Sequence, residues 1–160
     1  MTAVEAILTE AVIDIDQPVC AALEGKGHAV HTITPDESVH RAITRMSEES
    51  IGCLVVVNQQ GQLMGLISER DYCRKVILMG RNSHGTRVRD IMVTSVITVG
   101  LDASLRDVMQ MMTEQCLRHV PVVHQGAIVG LLSMGDVMKW VVGEQRQTIR
   151  ELRSQLSLRI

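Results

Sequence analysis

Phenylalanine is absent from this chain of 160 residues, and Tyr72 and Trp140 are its only aromatics. Without a row of aromatic side chains there is no platform on which successive bases could stack, which argues against a single-strand nucleic-acid binder. An excess of positive charge is also missing. Lys and Arg number 16 against 18 Asp and Glu, both signs interspersed, for a net charge of −2. That balance argues against the basic patch of an electrostatic nucleic-acid protein and against a polybasic membrane anchor. No apolar run approaches the roughly 18 residues of a membrane span. The early acids Glu5 and Glu10 do not fit the basic start of a signal peptide, so a soluble, cytoplasmic protein is expected.

The cysteines, Cys20, Cys53, Cys73 and Cys116, form no C-x-x-C pair and no disulfide framework, which fits a reducing compartment. Cys53 lies in an apolar run and is expected to be a small buried hydrophobe. The pairs His28/His31 and Cys116/His119 lack the second ligand pair that a structural zinc site needs, so no metal is expected. His40, His84 and His124 read as surface residues without partners. There is no P-loop, no Gly-x-Gly-x-x-Gly and no nucleophile–base–orienter set, so the chain is not expected to be an enzyme. Any NAD would then be a sensed ligand rather than a hydride donor.

What is present is an aliphatic, methionine-rich apolar set, 46% of the chain, and an internal repeat. Residues 30–75 and residues 96–139 repeat one pattern, with one single-residue gap between the pairs that follow. Thr32 falls on Thr98, Asp36 on Asp102, Ser38 on Ser104 and Met46 on Met112. The run Leu54–Val57 falls on Val120–Val123, and after the gap Gly65, Ser68 and Asp71 fall on Gly130, Ser133 and Asp136.

Each copy predicts the same elements. A short extended segment (30–33; 96–99) leads to a serine N-cap, Ser38 or Ser104, with Asp107 placed to complete a capping box in the second copy. Apolar residues then recur at helical spacing: Val39, Ala42, Ile43, Met46, and Leu105, Val108, Met109, Met112. Two apolar runs around Gln60-Gly61 or Gln125-Gly126 read as a β-hairpin. A last helix follows, over about 71–79 and 136–142. Each copy is therefore β-α-β-β-α, of mixed α/β (α+β) class, with small sheets flanked by helices. Neither copy can bury its apolar faces alone, so the two are expected to pack as one module about a pseudo-twofold axis. The boundaries read as an extension over 1–17, helical in part, then a first motif over 18–79 and a linker rich in Gly, Ser, Asn and Arg over 80–87. A second motif follows over 88–142, then a helical tail over 143–160. Short helical lead-ins are expected at 18–23 and 88–92. In the tail, Val142, Ile149, Leu152 and Leu156 stand at near-heptad spacing, as for a helix that packs on a partner subunit or frays.

The order Thr-x-x-Pro-Asp-x-Ser-Val, an apolar triplet, then Gly-Leu-Ile-Ser-x-x-Asp resembles the CBS domain, named for cystathionine β-synthase, and the tandem pair covers about residues 18–142. Arg118-His119-Val120-Pro121-Val122-Val123 is similar to that family's usual entry to its second strand. The segment 68–75 with Gly80-Arg81 resembles stand-alone CBS-pair proteins of bacteria and plant organelles. The resemblance implies two clefts that accept AMP, ADP, ATP, S-adenosylmethionine or NAD, and pairs that commonly associate as a disc-shaped homodimer.

Ser68-x-x-Asp71 and Ser133-x-x-Asp136 each follow an apolar strand and open a helix. A carboxylate there can accept two charge-assisted hydrogen bonds from a ribose cis-diol, and the serine can donate to a phosphate. The same spacing also makes a capping box, and the residues alone leave both readings open. The resemblance implies the ligand role. It also implies that Arg118 and His119 meet phosphates, and that Thr34, Ile51, Gly52 and Leu117 border the adenine. The first copy has Gly52-Cys53 where the second has Arg118-His119, so Arg70 and Arg74, then Lys75 and Arg81, are its candidate phosphate contacts. A regulatory module that senses an adenine nucleotide and signals to an unidentified protein partner is the expected function. The alternative is a ligand-free dimerisation adaptor acting through its C-terminal helix.

Overall fold

The computed structural model describes residues 17–157; the expectation for residues 1–16 lies outside them. Two compact units are formed from interleaved stretches of the described chain, one from residues 28–100 and 119–131, the other from residues 17–27, 101–118 and 132–157.

The first of these contains the three-stranded sheet β1-β2-β3. β1 (Thr32–Ile33) runs parallel to the central β2 (Cys53–Val57), and β3 (Leu63–Ser68) returns antiparallel with Cys53 opposite Ser68 and Leu54 opposite Ile67. Three strands with a β-branched, apolar centre make β2 nearly wholly buried. Helix α2 (Val39–Glu48) covers it with Val39, Ala42 and Met46, the face its spacing predicts. Ser38 caps α2 by accepting from the Arg41 amide. The β2–β3 turn is closed by Asn58, whose Oδ1 accepts from the Gln60 and Gln62 amides, and Gly61 takes φ +77°.

The second hairpin repeats this plan. β4 (Val99–Gly100) is parallel to β5 (His119–His124), which lies beside β6 (Ala127–Ser133). Gln125 and Gly126 both take positive φ, as a tight two-residue hairpin turn requires. In the other unit, helices α1 (Val19–Lys26), α4 (Leu105–Glu114) and α5 (Met134–Ser157) bury Val19, Leu23, Leu105, Val108, Met112 and Val137. Ser104 caps α4, but its hydroxyl accepts from the Arg106 amide rather than from Asp107, so a simple cap one residue earlier stands in place of the predicted capping box.

Several features differ from the sequence expectation. The last helix of the first copy starts at Glu69, because Ser68 is the N-cap and Asp71 its third residue. After α3 (Glu69–Tyr72) it widens into a π-helical turn over Cys73–Ile77. In the second copy the last helix does not stop near 142. It continues through Gly143 to Ser157, since neither a proline nor a left-handed glycine ends it.

The lead-ins are exchanged between copies. The segment before α1 docks on the start of α4: Val19 N–H donates to the Ala103 carbonyl and Leu105 N–H to that of Gln17, each at 2.9 Å. The short 3₁₀ turn Val88–Asp90 docks on the start of α2 in the same way. There Val39 N–H donates to Thr86 O and Val88 N–H to Glu37 O, each at 2.9 Å. The linker is thus held against α2, and it carries His84 onto His40. The two rings stack with centroids 3.8 Å apart; both residues are exposed as expected, but neither lacks a partner.

Candidate functional site

Both copies end their long helix in the same uncommon way, and that ending places the site residues. Ser50 and Cys116 take the left-handed conformation, φ 54° in each case, at a position usually given to glycine. Their amides return to Ser47 and Thr113, while Ile51 and Leu117 donate to the carbonyls of Met46 and Met112 at 2.9 and 2.8 Å. A left-handed non-glycine residue costs roughly 1–2 kcal/mol. The fold accepts that cost twice and so turns the chain directly into Gly52-Cys53 and Arg118-His119.

From there the copies run in parallel. The Gly52 carbonyl accepts from Glu69 N–H at 3.1 Å, and the Arg118 carbonyl accepts from Met134 N–H at 2.9 Å. Each bond ties the start of the hairpin to the start of the following helix, so the serine and aspartate stand beside Gly52 in one copy and Arg118 in the other. Cys53 is buried; Ile51 packs against the core of the sheet; Leu117 and His119 are half-buried; Arg118 is exposed. Thr34 is engaged locally, its hydroxyl donating to Glu37 Oε1 at 3.3 Å. Arg70 is half-buried on the first turn of α3, and Arg74 is exposed.

The carboxylates are held in matching geometry. Asp71 Oδ2 accepts from the Ser68 amide at 3.0 Å and the Ser68 hydroxyl at 2.7 Å, and the Asp71 amide donates back to Ser68 Oγ. Asp136 Oδ2 accepts from the Ser133 amide at 2.8 Å and hydroxyl at 2.7 Å, with the same return bond. Capping geometry is therefore present in both copies. It orients each carboxylate at the mouth of a helix without using all of its acceptor capacity, since an ionised carboxylate offers about four lone-pair sites.

Each carboxylate also has an ammonium partner, and the two come from different places. Lys75, one helical turn beyond Asp71, lies 2.9 Å from Asp71 Oδ1 and also donates to the Ile91 carbonyl at 2.6 Å. Trp140 stands at the corresponding place in the second copy, and the cation there is Lys26, from the last residue of α1, 2.5 Å from Asp136 Oδ2. The Asp71/Lys75 spacing was a legible signal; nothing in the sequence pointed to Lys26.

Burial alone would push the Asp136 carboxyl up. Hydrogen bonds from Lys26 and from the Ser133 hydroxyl and amide, with the Lys26 charge, outweigh it and hold the carboxyl below the usual carboxylate range. A carboxyl lowered in the folded state contributes stability that is present above its unfolded value, about 3.9, and is lost as pH falls through the folded value. Wild-type protein is therefore expected to lose stability below about pH 4 more steeply than Asp136→Asn. Urea midpoints across that range check this, and parallel curves would contradict it.

The CBS domain model matches residues 27–77 and 88–143. The CBS domain-containing protein CBSX3, mitochondrial, of Arabidopsis thaliana is 40% identical over 125 residues, 76% of this chain and 61% of that protein. The chain thus spans less than two thirds of that relative's length. A solved structure of a protein with CBS domains from Burkholderia ambifaria is 39% identical with a TM-score of 0.77, covering 81% of this chain and 96% of that one. The CBS domain pair of protein MJ0100, solved with 5′-methylthioadenosine and S-adenosyl-L-methionine, shares the fold at 23% identity. Its TM-score is 0.72, with 80% of this chain and 98% of that one covered.

Proposed function

The chain belongs to the CBS-domain family, and from that premise we propose that it is a cytoplasmic, non-catalytic sensor that binds adenosine-containing ligands at its two Ser-x-x-Asp sites and passes occupancy to a protein partner. The observation that carries this reading is the duplicated carboxylate geometry. Asp71 and Asp136 are each pre-oriented by a serine, beside a strand start fastened to the same helix by one backbone hydrogen bond. Preorganised acceptors suit a vicinal diol, because the serine has already fixed the orientation of the carboxylate before binding. The MJ0100 pair, bound to two adenosine compounds, supports the ligand class. AMP, ADP, ATP and NAD share the adenosine ribose with these compounds. The module is proposed to act as a homodimer, with residues 18–79 and 88–142 as its two motifs.

A ligand that binds only the folded state at a hundredfold excess over its Kd adds about 2.7 kcal/mol of stability. The purified protein is therefore expected to gain several degrees in Tm with at least one of AMP, ATP, NAD or S-adenosylmethionine at millimolar concentration. Native mass spectrometry should show the corresponding adduct. No shift and no adduct with any of the four would sink the sensor reading.

One observation favours the adaptor alternative. On α5, Met138, Val142 and Ile149 are 49%, 40% and 49% exposed and lie along one side of the helix. If Asp71→Ala/Asp136→Ala retains partner binding and truncation after Val142 loses it, α5 is the working surface.

A further inference from the structure

The exposed stripe on α5 follows a repeat of its own, and the repeat points to what covers it. We propose that α5 pairs with α5 of a second copy of this chain as a parallel, in-register, two-stranded coiled coil. This contact rests on the homodimer already proposed and says where its two chains meet.

Met138, Val142 and Ile149 are exposed on a helix that runs unbroken from Met134 to Ser157. At about 100° of turn per residue, these three and the positions of Leu152 and Leu156 fall within about 80° of arc. The stripe runs for about 27 Å, at about 1.5 Å per residue. Val137, on another side of α5, is wholly buried, so the helix cannot roll its stripe inward without exposing that residue. The stretch of α5 beyond Gly143 is no longer than the roughly 12–15 residues at which an isolated helix is marginal in water, so its stability calls for burial of its apolar stripe.

Written as heptads, Val142, Ile149 and Leu156 take position a, and Met138, Gln145 and Leu152 take position d. β-Branched residues at a with leucine at d favour two parallel strands. Gln145 is the single polar position in the stripe. In a parallel, in-register pair it meets its own copy, whereas a shift by one heptad would set it against an apolar layer. The flanks choose the direction. Position e carries Lys139, Arg146 and Arg153, and position g carries Val141, Thr148 and Gln155. Parallel helices set e against g, bases against uncharged residues. Antiparallel helices set e against e, where the bases repel.

The test is sedimentation equilibrium of the full-length protein, with wild type expected to be a dimer. Ile149→Asp is expected to weaken self-association by about a hundredfold, since both copies lose a buried isoleucine. Circular dichroism checks that the variant is folded, as expected for a change at an exposed position. Mild oxidation of full-length Val142→Cys should link that position to itself across the dimer, read by mass spectrometry of the linked peptides. A parallel pair brings the two positions together, and an antiparallel pair holds them apart. A dimer that survives Ile149→Asp, or a Val142→Cys variant that forms no such self-link, overturns the parallel coiled coil but leaves the homodimer standing. A monomeric wild type overturns both. The adenosine reading is tested separately, by the ligand-induced shift in Tm.

Discussion

If Asp136 holds a ribose diol as proposed, Asp136→Asn is expected to weaken nucleotide binding at its site by about 30- to 100-fold while leaving the protein folded. Asparagine is nearly isosteric and still offers an oxygen to the Ser133 amide and hydroxyl, so the cap that Asp136 forms is largely kept. What it lacks is charge. Hydrogen bonds to a charged group contribute about 1.5–3 kcal/mol, against about 0.5–1.5 for neutral ones. A diol held by two such bonds therefore loses about 2–3 kcal/mol, at about 1.4 kcal/mol per tenfold in affinity. Asp71→Asn should act equally on the first site through the same geometry with Ser68. Alanine at either position removes the cap as well and costs a further ~1 kcal/mol of stability, so it is the poorer probe. Calorimetry on the single and double variants separates the sites. Affinities within about threefold of wild type in both asparagine variants would mean that these carboxylates serve only as caps.

Leu54→Ala is expected to destabilise the fold by about 3 kcal/mol, within the 2–5 kcal/mol found for large-to-small changes in well-packed cores. Leu54 is wholly buried on the central strand, opposite Ile67, in a cluster with Ile33, Met46, Val56 and Val76. Neighbours on three sides belong to regular elements tied by backbone hydrogen bonds, which limits collapse into the cavity. The loss is a large share of the 5–15 kcal/mol typical of a domain. It also bears on the site, because β2 and β3 carry Cys53 and Ser68 as direct partners. A lower urea midpoint with unchanged slope would report it; a change under about 1 kcal/mol would show that the cluster repacks.

How far the sequence could be read depended on the range of the interaction. The amphipathic helices of both copies, their serine caps and the glycine turn at Gln125-Gly126 lie where spacing alone puts them. Each is determined by residues within one or two turns of chain. The ends of α2 and α4 carried no such signal, since serine and cysteine, not glycine, take the left-handed position. Gly65 matched Gly130 in the repeat, but its reason is distant in sequence. A Cβ there would lie 2.6 Å from the Val93 carbonyl, in a segment bridged to Leu66.

By itself, then, the sequence determined the repeat, the β-α-β-β-α order of each copy and the positions of the two serine–aspartate pairs, because periodicity, caps and turns are local physics. Tertiary structure alone decided that the lead-in of each copy docks on the helix start of the other, that His84 reaches His40, and that Asp136 meets a lysine 110 residues away. The physical reason is that backbone hydrogen bonding and Coulomb attraction carry no address in sequence. Val19 or Val88 could serve either capped helix equally well by composition, and an ammonium on a flexible stem finds whichever carboxylate the packed helices bring within its reach.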